Sequence, residues 1–209
     1  DKIMTTGGEG GMLLTNDDTA WSSAWSYKDH GKDHDRVFKE NHAPGFRWLH
    51  ESFGTNWRMT EMQAAIGRVQ LKKISKWVDV RRRNASLLNE GLSRIDALRL
   101  TIPSPDTLHS YYKYYVFVRP EKLKAGWDRD RIMGMINEEG VPCFSGGCSE
   151  IYLEKAFSAG ELKRKDRLPV ARELGETSLM FLVHPTLSQE DMLTTAKVVE
   201  KVMAEAVRS

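Results

Sequence analysis

The sequence predicts an α/β chain built in two parts, and three observations carry that reading. From about residue 99 onward, short apolar, β-branched or aromatic runs alternate with stretches of helical period. A long helix-period run over residues 60–92 separates that region from a glycine- and histidine-rich segment before it. At 209 residues and 40% hydrophobic side chains, the chain can build one large domain or two small ones. The expected parts are 1–76 and 77–209.

Residues 2–15 read as an extended, glycine-interrupted strand region, Ile3-Met4-Thr5-Thr6 and then Met12-Leu13-Leu14-Thr15. Asn16-Asp17-Asp18 offers N-cap chemistry for a helix carrying Trp21, Ala24 and Trp25. Lys28 to Ser52 is polar and irregular, a long loop of the kind that is functional or mobile. Thr60 and Gln63 fit a capping box, in which Thr60 accepts from the third backbone N–H and Gln63 reaches back. Met62, Ile66, Val69, Leu71, Ile74 and Val78 follow at helical spacing, and the pattern runs on through Leu87, Leu88 and Leu92. That is too long for one globular helix, so two helices or one kinked helix are expected, with a break near Ser75.

Arg99 to Ile102 reads as a short strand and Pro103-Ser104-Pro105-Asp106 as a turn. Tyr111 to Val118 is a strong strand whose alternating tyrosines suit a half-buried sheet better than a base-stacking surface. Asp128 caps a helix bearing Ile132, Met135 and Ile136, closed by Gly140. Val141 to Phe144 and Ser178 to Val183 are further strands. Phe144-Ser145-Gly146-Gly147-Cys148 is either an anion-binding turn or a plain loop. Ser188 opens a last helix with the apolar stripe Met192, Ala196, Val199, Val202 and Met203.

Composition excludes some classes. A formal net charge of +2 argues against nucleic acid or a membrane surface as the main partner. The basic runs Arg81-Arg82-Arg83 and Lys163-Arg164-Lys165 read as solvated helix faces or loops. Cys143 and Cys148 are the only cysteines and fit free thiols in a reducing cytoplasm. His30, His34, His42 and His50 match no compact ligand spacing, so no metal is expected. No stretch is long and apolar enough to span a membrane.

Three ordered segments carry more specific information. They are Lys2-Ile3-Met4-Thr5-Thr6-Gly7-Gly8-Glu9-Gly10-Gly11, Gly54-Thr55-Asn56-Trp57-Arg58-Met59-Thr60-Glu61-Met62-Gln63-Ala64-Ala65, and Leu182-Val183-His184-Pro185-Thr186-Leu187-Ser188. Together they resemble the C-terminal half of the DegT/StrS family of sugar aminotransferases dependent on pyridoxal phosphate (PLP), over essentially the whole chain. One departure stands in the first segment, where Gly7-Gly8 replaces the single glycine usual before the glutamate.

The resemblance implies a fold-type-I PLP enzyme, aspartate-aminotransferase-like. Residues 1–76 would be the tail of its PLP-binding large domain, with a linking helix, and 77–209 its small C-terminal α/β domain. It implies that Lys2 is the Schiff-base lysine. That role suits lysine, whose amine loses its proton readily when desolvated or placed near another cation. It also implies that Asn56 reaches across a homodimer interface to the partner's PLP phosphate; the alternative is an asparagine in a turn before a capped helix. Arg58 either clamps a diphosphate or carboxylate of the substrate or forms a salt bridge near the helix start. His184 either lies near the substrate or is an ordinary satisfied histidine. Lys32 and Arg36 are further candidates for a nucleotide diphosphate.

The implied reaction moves an amino group from glutamate or glutamine to a nucleotide-linked keto sugar, for amino-sugar and cell-surface polysaccharide (lipopolysaccharide) biosynthesis. In related dehydratases a histidine replaces the lysine, so Lys2 favours transamination. The phosphate-binding loop, the ring-stacking aromatic and the carboxylate that pairs the pyridinium nitrogen are expected upstream of Asp1. The chain is therefore expected to be a fragment without turnover of its own. The alternative is a non-catalytic dimerisation or ligand-binding module of the same fold.

Overall fold

Helices begin where a side chain can hold the orphan N–H groups of a first turn. Asp17 caps α1 (Asp18–Lys28), Asp33 caps α2 (His34–Phe38), and Thr60 and Gln63 form the capping box of α3 (Glu61–Leu71). Asp128 caps α5 (Arg129–Glu138), and Ser188 with Asp191 boxes α7 (Gln189–Ala206). The computed structural model describes residues 2–45, 47–157 and 166–208. The run Lys163-Arg164-Lys165 lies outside these. The chain divides into two compact units, Asp1–Ile74 and Ser75–Ser209.

The first unit holds α1, α2 and α3. Its segment 2–15 is not assigned to a strand, because no neighbouring strand supplies a ladder among the described residues, and Met12, Leu13 and Leu14 are exposed. The expected loop 28–52 departs from the reading as well. It contains α2, and its backbone is paired by His30 N to Thr55 O (3.0 Å), Glu51 N to Gly31 O (2.9 Å) and Asp33 N to Leu49 O (2.8 Å). His34 packs against Trp21, Trp25 and Phe38, with ring centroids 4.8, 4.9 and 4.9 Å away. Among the described residues no group of three or more His, Cys, Asp or Glu could hold a metal ion. The capping box of α3 is present, yet its apolar stripe is exposed, Met62 at 77% and Val69 at 52%.

The second unit is a four-stranded antiparallel sheet in the order β1-β2-β4-β3, with β1 Leu98–Leu100, β2 Tyr114–Val118, β3 Cys143–Phe144 and β4 Ser178–Phe181. Alternation along β2 places Tyr114, Val116 and Val118 in the core. There they join Leu88 and Leu92 of α4 (Ile74–Leu92), Ile132 and Ile136 of α5, and Met192, Val199 and Met203 of α7. α4 approaches α7 closely, since a Cβ on Gly91 would lie 2.6 Å from that of Ala196. α3 and α4 are two helices, separated at Lys72-Lys73.

Two expectations need correction here. β2 starts at Tyr114, not Tyr111, because Tyr111 sits at φ 46° outside the extended region. Arg81 is buried within α4 rather than solvated, and it donates to the carbonyls of Tyr111 and Tyr112. Within the 144–148 turn, Gly146 lies against the Tyr115 ring, where a Cβ would lie 2.4 Å away, while Phe144, Gly147 and Cys148 are exposed. An additional helix, α6 (Pro169–Thr177), is marked in the sequence by the proline in its first turn.

A carboxylate fastens the segment after β3 to the start of α6. Glu150 accepts from Arg167 Nε (2.9 Å), from Arg167 Nη2 and from the Tyr152 hydroxyl (2.6 Å). These bonds, Arg167 first, hold its carboxyl at about 2 against an ordinary 4.5. A depressed folded-state value means the stabilisation is complete above 4.5 and is lost as the pH falls toward 2. Urea unfolding of the second unit between pH 5 and 2 is expected to show this loss, and Glu150→Gln is expected to flatten it. Equal pH slopes in both proteins would refute the assignment.

Candidate active site

Lys2 is exposed at the head of the first unit, ahead of the glycine loop. That loop is tied to α3 because Gln63, whose Oε1 completes the capping box, donates Nε2 to Glu9 O at 3.0 Å. Gly7 is at φ 75°, and a Cβ there would sit 2.9 Å from Ile66 Cδ1. The glycine therefore serves both the turn and the close approach to the helix.

Asn56 and Arg58 are brought together. Arg58 Nε donates to Asn56 Oδ1 at 3.1 Å, which fixes the amide with its Nδ2 donors turned away from Arg58. The same guanidinium lies 3.5 Å from Asp29 Oδ1 and 3.4 Å from His30 Nε2. Of the two alternatives for Arg58, the ion pair is present. Asp29 pairs across the backbone with Asn56 in an isolated antiparallel bridge. It is 8% exposed and also holds Lys32 (3.2 Å) and Lys28 (3.7 Å). Burial raises the Asp29 carboxyl, but the Lys32 hydrogen bond and the charges of Lys32, Arg58 and Lys28 outweigh it, so the group lies below the usual carboxylate range. Three cations around one carboxylate leave the cluster positive. Arg36 instead pairs with Glu51 at 2.5 Å.

His184 belongs to the second unit, just past β4. Asn84 of α4 donates to its carbonyl at 3.3 Å and to that of Leu187 at 3.4 Å. Its Nδ1 lies 2.8 Å from Thr186 Oγ1. Burial, then the charges of Arg81 and Lys113, hold the imidazole below its ordinary pKa. Asp29, His30, Arg81 and Lys113 are site neighbours that the sequence did not disclose. They lie far along the chain from the residues they serve, and no local spacing announces them.

The donor set suits part of a PLP molecule. Lys2 offers a primary amine, and Asn56 offers an amide whose acceptor is already used and whose donors suit a phosphate oxygen.

Comparison with known proteins finds aminotransferases. An aminotransferase from Psychrobacter cryohalolentis superposes with a TM-score of 0.89 at 52% identity, covering 98% of this chain and 54% of that one. The dTDP-4-dehydro-2,3,6-trideoxy-D-glucose 4-aminotransferase of Saccharopolyspora spinosa is 27% identical over 96% of this chain and 49% of its own length. The Escherichia coli GDP-4-keto-6-deoxy-D-mannose-3-dehydratase with bound hydrated PLP shares the fold, with a TM-score of 0.71 at 18% identity, over 89% of this chain and 49% of that one. The chain spans about half the length of the curated relatives it matches. Its architecture is that of fold-type-I PLP aminotransferases. The model of the DegT/DnrJ/EryC1/StrS aminotransferase family matches residues 1–203, and the chain belongs to that family.

Proposed function

We propose that these residues serve PLP-dependent transfer of an amino group from glutamate or glutamine to a nucleotide-linked keto sugar. The setting would be amino-sugar synthesis for cell-surface polysaccharide, in the cytoplasm. The observation that carries the reading is Lys2 standing ahead of a glycine loop pinned to α3, in a chain of this family. When bound, PLP supplies an electron sink for the carbanion left as a substrate loses its proton. Lys2 Nζ would hold the cofactor and would carry the proton that a substrate carbon gives up. Asn56 Nδ2 would donate to the cofactor phosphate, with Arg58 fixing the amide. Arg58 and His184 face the substrate. Residues 1–76 contribute to the cofactor domain, and 77–209 form the small domain.

The reading includes a homodimer in which Asn56 serves the partner's cofactor. The exposed apolar stripe of α3, which carries Met62, Ile66 and Val69, supports an interface there. Asn56→Ala is expected to weaken PLP binding about tenfold or more, the effect of losing a hydrogen bond to a charged group. Mixing Lys2→Ala and Asn56→Ala full-length proteins, at a PLP concentration too low to load Asn56→Ala, tests the shared site. Activity is expected to return in the hybrid dimer, where one of the two sites keeps both residues. A mixture as inactive as its components would reject cross-subunit binding.

A further inference from the structure

Among the described residues Arg81 is a buried cation without a counterion. It is 3% exposed, and no carboxylate contributes to its electrostatic environment. Nη1 donates to Tyr111 O (3.3 Å) and Tyr112 O (3.0 Å). Nε is the one buried side-chain nitrogen or oxygen among the described residues that lacks a hydrogen-bond partner. Leaving a buried guanidinium unpaired is costly, and its Nε–Nη2 edge is the one that grips an oxyanion with two bonds.

Two more donors come to the same end of the sheet. Tyr114 of β2 pairs with Phe181 of β4. Lys113, just before β2, and His184, just past β4, therefore leave the sheet at one end. α4 reaches that end too, through Arg81 on Tyr111 and Tyr112 and through Asn84 on His184 O. The Thr186 backbone N–H donates to His184 Nδ1 at 3.4 Å, and the Thr186 hydroxyl, which can donate as well as accept, lies 2.8 Å from the same nitrogen. A backbone N–H cannot accept, so Nδ1 is the acceptor and the neutral ring carries its proton on Nε2. His184, an exposed residue, thus keeps an N–H donor on Nε2, and the charged groups acting on it, Arg81 and Lys113, are both cationic.

We propose that Lys113, His184 Nε2–H and the Arg81 charge behind them form an oxyanion site that takes a carboxylate or a phosphate. The anion supplies the countercharge that Arg81 lacks, and Thr186 is the positioning residue that fixes the imidazole tautomer. This deepens the placement of His184 against substrate in the proposed reaction. A carboxylate would identify the amino donor, and a phosphate the sugar nucleotide.

The test follows the His184 ring by ¹⁵N NMR in the full chain at constant ionic strength, with L-glutamate and inorganic phosphate titrated separately. A saturable rise in the His184 pKa is expected, because a bound anion favours the imidazolium. Lys113→Gln is expected to weaken that binding about tenfold. The ring in the free protein is expected to show the Nε2–H tautomer at pH 8, and Thr186→Val, which keeps the backbone donor and loses only the hydroxyl 2.8 Å from Nδ1, to retain it as the major form. Response to glutamate alone identifies a carboxylate site, and response to phosphate alone a phosphate site. Response to both establishes a general oxyanion site. No response to either, or identical titrations in wild type and Lys113→Gln, overturns the proposal. None of these readouts requires Lys2 or amine transfer, so this inference and the proposed function fail independently.

Discussion

Replacing Lys2 with alanine in the PLP-loaded, full-length protein is expected to abolish the borohydride-reducible yellow chromophore and nearly all amine transfer. Loss of the proton-transfer role alone costs about a hundred- to ten-thousandfold in rate, and loss of covalent attachment adds to it. Lys2→Arg separates charge from chemistry. A guanidinium keeps the positive charge but stays protonated, so it neither attacks the cofactor nor carries a proton at working pH. Both variants are therefore expected to be inactive, although only one loses the charge. Lys2 is exposed, and its replacement is expected to leave unfolding within about 0.5 kcal/mol of wild type. Reduction followed by peptide mass analysis should place the cofactor on Lys2 in wild type. Amination by Lys2→Ala at a wild-type rate would remove Lys2 from the mechanism.

What the sequence made legible was mostly local. The caps Asp17, Thr60, Asp128 and Ser188 act within three or four residues, so their side chains announce helix starts directly. The stripe of α7 is equally plain, and Met192, Val199 and Met203 are buried as its spacing implies. Burial in α3 was not legible. Helical period reports which residues share a face, not what covers that face, and Met62 and Val69 stand exposed. Strands need partners, which is why 2–15 reads as extended yet forms no ladder among the described residues. The β-branched and aromatic run from Tyr111 likewise could not disclose that Arg81 and Arg82, on α4, hold Tyr111, Tyr112 and His109 by their carbonyls.

The same division runs through the site. Lys2, Asn56, Arg58 and His184 were named because they sit in ordered motifs. Their electrostatic neighbours come from elsewhere in the chain. Asp29 meets Arg58 from the end of α1, and Arg81 acts on His184 from α4. A charge run such as Arg81-Arg82-Arg83 suggests a solvated face because most such runs are solvated. The exception arises where irregular backbone offers carbonyls that no ladder satisfies, and a guanidinium is long enough to reach them.

The Asn56 amide is placed by backbone contact as much as by side chains, and Gly31→Ala tests this. Gly31 is at φ 83°, and a Cβ there would lie 1.8 Å from Ser52 O. Gly54 closes the same contact from the other side, where a Cβ would meet Gly31 N at 2.3 Å and Tyr27 O at 2.7 Å. The substitution imposes a left-handed conformation on alanine, at about 1–3 kcal/mol, and forces the two strands of chain apart, at about 1–3 kcal/mol more. A loss of roughly 2–5 kcal/mol is expected on urea unfolding of the first unit. Gly11→Ala is the control, since nothing lies within 4 Å of a Cβ at that position, and it is expected to change stability by no more than about 0.5 kcal/mol. The backbone bonds of Gly31 to residues 51 and 52, and the Asp29–Asn56 bridge beyond them, are the contacts that must yield. Gly31→Ala is therefore also expected to weaken PLP binding, although Gly31 is not among the residues that hold the cofactor. If Gly31→Ala unfolds at the wild-type urea concentration, the close approach of these two segments does not hold Asn56 in place.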